Sequence, residues 1–472
     1  MTPDEFRKYA HEVVEWMADY LENVENYPVK SSIGAGEIFG KIPDSPPTHP
    51  EPFDSFLKDI DAIIIPGITH WQNPNFFAYF PANTSPPSIL AEMLIATLGS
   101  QCMIWETSPA AAELEEKMMI WLRDMIGLPS GFEGVIQDTA STATLAAIVT
   151  AREKISNFSI NNDGAGSNGT LKVYCSDQSH SSVEKAVKIC GIGRKNLVKI
   201  PVKDDFSMDP EQLKEAIIND KNIGHIPCCV VATIGTTGTT AVDPLRAIGE
   251  ICSKNDIWLH VDAAMAGTAL ILSEYQWMLD GREYIDSFVF NPHKWMFTNF
   301  DCSAYFVKDV GKLIRTFEVL PEYLKTRSRG KVNDYRDWGV PLGRRFRALK
   351  LWSVIRSFGT DGLRDRIRYH INIAKTLSEM ISDESDFEIL APVIISVVCF
   401  RYKPAGYNED QINALNEKLN HQLNDTGRLY LTHTVLKGKY ALRMVTAQTN
   451  VTLEHVKKAW DLIREKARDL DL

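Results

Sequence analysis

The chain has 472 residues, 44% hydrophobic and 24% charged, and its 51 basic and 61 acidic residues give a net charge of −10. That is a globular composition, long enough for a large core plus one or two smaller domains, and it excludes a peptide or a disordered tail. The acidic balance without a basic cluster argues against a nucleic-acid surface, and no apolar run reaches bilayer-spanning length.

The first stretch, MTPDEFRKYAHEVVEWMADYLENV, is expected as an amphipathic helix rather than a leader. Thr2, Pro3 and Glu5 form a capping-box start, and Phe6, Tyr9, Val13, Val14, Met17 and Leu21 recur at helical spacing. IPDSPPTHPEP (42–52) has too many prolines for a helix or a central strand and is expected as an extended linker. HWQNPNFFAYFPANTSPPS (70–88) is dense in aromatic residues, which serve packing or line a pocket.

From about residue 88, helical patterns alternate with short apolar runs. The expected strands are LKVYC (171–175), CCVVATIG (228–235), IWLHVDAA (257–264), DSFVFN (286–291) and SAYFVK (303–308). This alternation predicts an α/β domain with a largely parallel sheet. NFSINNDGAGSNGT, between 155 and 170, is expected as a tolerated surface loop, and a further alternation from about 351 is expected to form a smaller domain. The eight cysteines are scattered through apolar runs without CxxC or paired histidine spacing. They are expected to be reduced core residues of a cytoplasmic protein with no metal site.

Ligands of open α/β sheets gather at the carboxyl ends of the strands. His180, Thr236, Thr237, Asp262 and Lys294 each stand at or just after such an end. In SFVFNPHKWMFTNFDCSA (287–304), Lys294 follows a hydrophobic strand. Such a lysine either snorkels to water or is desolvated into a neutral nucleophile.

A lysine-bound aldehyde cofactor, pyridoxal phosphate, needs four things. They are the lysine, a carboxylate for its ring nitrogen, backbone donors at a helix start for its phosphate, and a flat group against its ring. Lys294 and Asp262 suit the first two, with the small Ala263 and Ala264 leaving room for a ring. DTASTATLAAIVTAR (138–152) opens with Thr139, Ala140 and Ser141, which are either phosphate donors or part of a plain N-cap by Asp138 or Ser141. His180 is either a helix cap or the flat group.

The ordered runs SDQSHSSVEKA (176–186), HVDAA (260–264) and NPHKW (291–295) resemble the group II pyridoxal-phosphate decarboxylases, the aromatic L-amino acid decarboxylases in particular. The resemblance extends from HWQNPNFFAYFPA (70–82) through SPAAAELE (108–115) to GRRFRALKLW (343–352). It implies the aminotransferase-like fold type I, with a mostly parallel seven-stranded sheet and pyridoxal 5'-phosphate as cofactor. The implied layout is an N-terminal helical dimerisation segment (1–85), a large cofactor-binding domain (86–350) and a small C-terminal α+β domain (351–472), with active sites shared in a homodimer.

By the same resemblance Lys294 would hold the cofactor, Asp262 its ring nitrogen and His180 its face. Thr237 would lie on its ring-oxygen side, with Thr139, Ala140, Ser141, Ala264, Asn291 and His293 completing its site. Trp71, Tyr79, Phe80, Ala82, Gln101, Met103 and Gly343 would contact the substrate. Tyr323, in the charged loop EYLKTRSRGKVNDYRDW (322–338) expected to act as a mobile lid, would be the catalytic proton donor. Aldehyde-forming relatives commonly carry phenylalanine there, and some carry asparagine in place of His180.

The implied reaction is decarboxylation of tryptophan, tyrosine, dopa or phenylalanine to the amine. The alternatives are a decarboxylase of glutamate, aspartate or histidine, and an aromatic aldehyde synthase on the same fold. Met265, Gln101, Met103 and Ala82 depart from the family pattern, so a relative's substrate preference does not transfer. Gly343 leaves room for a bulky ring. An aminotransferase would need an arginine for the substrate carboxylate, for which Arg443 is the candidate, and a catalytically dead homologue would not need Lys294, Asp262, His180 and Tyr323 all intact.

Overall fold

A computed structural model describes residues 1–167, 169–319 and 331–470. Contacts divide the chain into two units. One comprises Ala82–Asn372 with Ala391–Val397, and the other comprises Met1–Pro81, Ile373–Leu390 and Val398–Leu472.

The larger unit holds a seven-stranded sheet: β1 (Glu133–Gln137), β2 (Leu171–Ser176), β3 (Leu197–Ile200), β4 (Ile226–Thr233), β5 (Trp258–Asp262), β6 (Ser287–Phe290) and β7 (Ser303–Val307). Their order is β1-β7-β6-β5-β4-β2-β3. Only β7 runs against its neighbours; the pairs from β6 through β5, β4 and β2 to β3 are parallel. The strands β2, β4 and β5 are buried on both faces, as the middle of an apolar parallel sheet covered by helices must be. The helix Ala140–Ile155 supplies a small-residue face, with Ala143, Ala146, Ala147 and Ala151 buried in the core against Val173, Val231 and Val289. Its alanines favour helix and let it approach the sheet closely.

The five strands expected from sequence are present, each within a few residues of its anticipated bounds. The stretch expected as a loop near 160 contains a short helix, Ser159–Asp163, with Arg315 stacked 3.8 Å over the Phe158 ring. Residues 331–338 do not behave as an exposed lid. Tyr335–Trp338 form a buried 3-10 turn, and the Arg344 guanidinium lies 4.9 Å over the Tyr335 ring.

In the other unit, β8 (Phe387–Ile389), β9 (Val397–Tyr402), β10 (Thr432–Leu436) and β11 (Lys439–Val445) form a sheet in the order β10-β11-β9-β8. The aromatic segment 75–77 attaches here through hydrogen bonds between Phe77 N–H and the Tyr430 carbonyl and between Val445 N–H and the Phe77 carbonyl, both 3.0 Å. The helix Pro3–Asn23 starts with the expected Thr2–Glu5 capping box and buries none of its residues. Its stripe includes Phe6, 60% exposed. All eight cysteines are buried and none is in a disulfide.

Candidate active site

The strand ends of the larger unit open into one cavity, lined in part by His180, Thr237, Asp262, Asn291, His293 and Lys294. Thr139, Ala140, Ser141 and Ala264 complete the set of expected cofactor residues on its wall. Ser182, Thr233, Gly235 and Phe300 line it as well and were not anticipated from sequence.

Asp262 ends β5 and is 5% exposed. Its Oδ1 accepts from Ala264 N–H at 3.0 Å. Burial raises its carboxyl above the usual range, while Lys294, the Ala264 N–H and His180 pull the other way. A buried carboxylate costs several kcal/mol unless a cation faces it, so this cavity is built for a positive group beside Asp262. The protonated ring nitrogen of pyridoxal phosphate is such a group, and the donor set present fits that cofactor.

Lys294 lies in the one-turn helix Pro292–Trp295 that follows β6. Pro292 suits a first helical position, and Lys294 N–H bonds back to the Asn291 carbonyl at 2.9 Å. Asn291 is fixed by donating its N–H to Ala264 O at 2.9 Å and by accepting from Ser303 Oγ at 2.6 Å. His293 accepts from Cys302 N–H through Nδ1 at 2.9 Å. Burial pushes its pKa down to about 3, so it is a neutral ring.

The phosphate end is the start of Ala140–Ile155. Thr139 is the N-cap, with φ −139° and its hydroxyl accepting from Thr142 N–H at 3.4 Å. The cap is therefore neither Asp138 nor Ser141, the two residues expected for it; Asp138 instead accepts from Thr139 N–H at 2.7 Å. The N–H groups of the first turn and the positive end of the helix dipole suit an anion. At Gly235, φ is +80° and an added Cβ would clash with Ala266 Cβ, so the backbone passes the cavity wall where no side chain fits.

The residues lining the cavity include none of those expected for the substrate. Trp71 and Tyr79 stack at 5.8 Å in the other unit, where the Arg443 guanidinium lies 4.8 Å over Phe80 and donates to the Tyr79 carbonyl at 2.7 Å. Burial lowers the Arg443 pKa to about 10. Ala82, Gln101, Met103 and Gly343 belong to the larger unit but are not among the residues lining the cavity. Gln101 Oε1 accepts from Arg344 N–H at 2.7 Å, and Met103 O accepts from Arg336 N–H at 3.0 Å. Met265 is buried. Tyr323 lies outside the described residues.

Sheet order, lysine, buried carboxylate and helix start together place the chain among pyridoxal-phosphate enzymes of fold type I. Residues 36–403 match the pyridoxal-dependent decarboxylase conserved domain, and the chain belongs to that family. It is 43% identical to tyrosine decarboxylase 4 of Petroselinum crispum, over 99% of this chain and 94% of that protein. It is also 43% identical to phenylacetaldehyde synthase of Arabidopsis thaliana, over 99% and 96%. A crystal structure of Oryza sativa TDC with PLP and tryptamine superposes with a TM-score of 0.97 at 36% identity, covering 100% of this chain and 99% of that one. The protein is a pyridoxal-dependent amino-acid decarboxylase with pyridoxal phosphate as its cofactor.

Proposed function

We propose that the protein releases carbon dioxide from an aromatic L-amino acid and returns the amine. The observation that carries this reading is the convergence of Lys294, Asp262, His180 and the Thr139–Ser141 helix start on one cavity. It is supported by relatives of near-equal similarity whose names carry aromatic compounds, tyrosine in one and phenylacetaldehyde in the other.

Bound pyridoxal phosphate supplies an electron sink for the pair left on Cα when the carboxylate departs. Lys294 would hold it through its amine. Asp262 would keep the ring nitrogen protonated, which keeps the sink strong. His180 would face the ring and Thr237 its oxygen side, and the N–H groups at Ala140 and Ser141 would take the phosphate, with Thr139, Ala264, Asn291 and His293 shaping the pocket. Trp71, Tyr79, Phe80, Ala82, Gln101, Met103 and Gly343 are assigned to the substrate. Tyr323 delivers the proton to Cα, which makes the product an amine rather than an aldehyde.

The active unit is a homodimer in this reading. In the helix Pro3–Asn23 the apolar residues Phe6 and Val14 are exposed, and Phe39, Phe56, Leu90, Leu94 and Leu98 are also exposed. A cytoplasmic location is supported by eight cysteines none of which is in a disulfide, and no helix among the described residues is long and apolar enough to cross a membrane.

The competing product is the aldehyde, favoured by the equal similarity to a phenylacetaldehyde synthase. Product analysis on tryptophan, tyrosine, dopa, phenylalanine, histidine and glutamate separates the readings. Amine and carbon dioxide from an aromatic substrate support the proposal, and aldehyde with ammonia overturns the amine assignment. Turnover confined to glutamate or histidine overturns the aromatic one.

A further inference from the structure

His180 stands in the turn between β2 and the helix Ser182–Ile189, and both polar groups of Ser182 meet the same atom of its ring. Ser182 N–H donates to His180 Nδ1 at 3.2 Å, and Ser182 Oγ lies 2.8 Å from that nitrogen. A backbone N–H can only donate, so Nδ1 must offer a lone pair. In the neutral ring the proton then sits on Nε2. We propose that Ser182 is a positioning residue that fixes His180 as the Nε2–H tautomer, so that this side of the cavity presents a hydrogen-bond donor and not a base.

The surroundings agree with a neutral ring. Burial of His180 lowers its pKa, Lys294 and Lys185 oppose a second proton, and only Asp262 favours one. Ser182 is 5% exposed and lines the same cavity, so its hydroxyl has little access to bulk water as a substitute partner. A histidine locked in this way cannot take a proton at Nδ1 without giving up the Ser182 N–H, and it has no lone pair on Nε2 to accept one. In the decarboxylase reading, on which this consequence rests, His180 can support a proton donor by hydrogen bonding but cannot itself deprotonate the substrate.

The test reads the ring directly, in the holoenzyme without substrate. Protein labelled with 15N-histidine is examined by long-range proton–nitrogen correlation, with the His180 signals assigned by their loss in His180→Asn. An unprotonated Nδ1 and a protonated Nε2 are expected, and a protonated Nδ1 at neutral pH overturns the proposal. Ser182→Ala keeps the backbone N–H and removes only the hydroxyl contact, so the ring should remain in the Nε2–H form. Its kcat and its KM for the amino acid should then change little. A ring that turns to Nδ1–H in Ser182→Ala overturns the assignment of this role to the Ser182 N–H. The wild-type measurement needs neither a variant nor turnover, so its outcome is independent of whether the protein makes amine, aldehyde or neither.

Discussion

Asn83 holds Lys294 by its backbone, its Nδ2 donating to the Lys294 carbonyl at 2.6 Å. Two more side chains of the same segment continue the grip. Ser85 Oγ donates to the Phe297 carbonyl at 2.7 Å, and Asn299 N–H donates to Ser88 Oγ at 2.8 Å. The loop carrying the reactive lysine is thus fastened from one side by a run of short polar residues. Asn83→Ala should cost about 1–3 kcal/mol in stability, because it leaves a carbonyl in a buried setting without its donor. Denaturant unfolding followed by fluorescence measures this, and an unchanged midpoint would remove Asn83 from the account.

Lys294→Ala should yield protein without the visible absorbance of lysine-bound cofactor and with no turnover. Tyr323→Phe should keep that absorbance while shifting product from amine to aldehyde. Amine formation by Tyr323→Phe at the wild-type rate would show that another group supplies the proton to Cα.

Gly235→Ala should be among the more damaging single-methyl changes in the chain. It combines a backbone angle that L-residues adopt poorly with a clash against Ala266. A loss of about 2 kcal/mol or more is expected, together with weaker cofactor retention because Gly235 lines the cavity. Dialysis against cofactor-free buffer and a thermal melt measure the two effects separately.

His260, His293 and His370 each have their pKa pushed down to about 3 by burial. The unfolded chain protonates them near 6.5, so the stability they contribute is fully present above that pH and is lost as pH falls toward 3. Asp243, raised to about 6 by burial, acts in the opposite sense by taking up a proton in the folded state first. Unfolding free energy should therefore fall on going from pH 6 to pH 4. His370→Gln, which keeps an acceptor for the Trp295 indole N–H now bonded to His370 Nδ1 at 3.0 Å, should flatten that slope by about 1.4 kcal/mol per pH unit. Denaturation at several pH values measures it, and an unaltered slope would mean that His370 does not stay neutral in the fold.

The residues legible in the sequence were those whose own side chains must carry the chemistry and that follow strong apolar strands. Lys294, Asp262 and His180 were found in this way. Ser182 was hidden because its contribution is made in part through its backbone, and Gly235 because it acts by having no side chain at all. β3 escaped notice since it is an edge strand with partly exposed residues, and β1 since EGVIQ is short and begins with a charge and a glycine. The charge of residues 331–338 suggested solvent, yet Arg336 and Asp337 are buried with their charges 3.4 Å apart, a pairing that composition alone does not reveal.

The antiparallel return of β7 alongside β6 has a consequence for local opening. Phe290 pairs with Ala304, so the turn bearing Lys294 is closed at its base by the ladder of a central strand pair. Amide exchange at residues 291–302 should therefore be governed by separation of that hairpin rather than by fraying of a surface connection. The lysine would be among the last parts of the larger unit to be released from its native setting, even under conditions that already loosen the chain's outer helices.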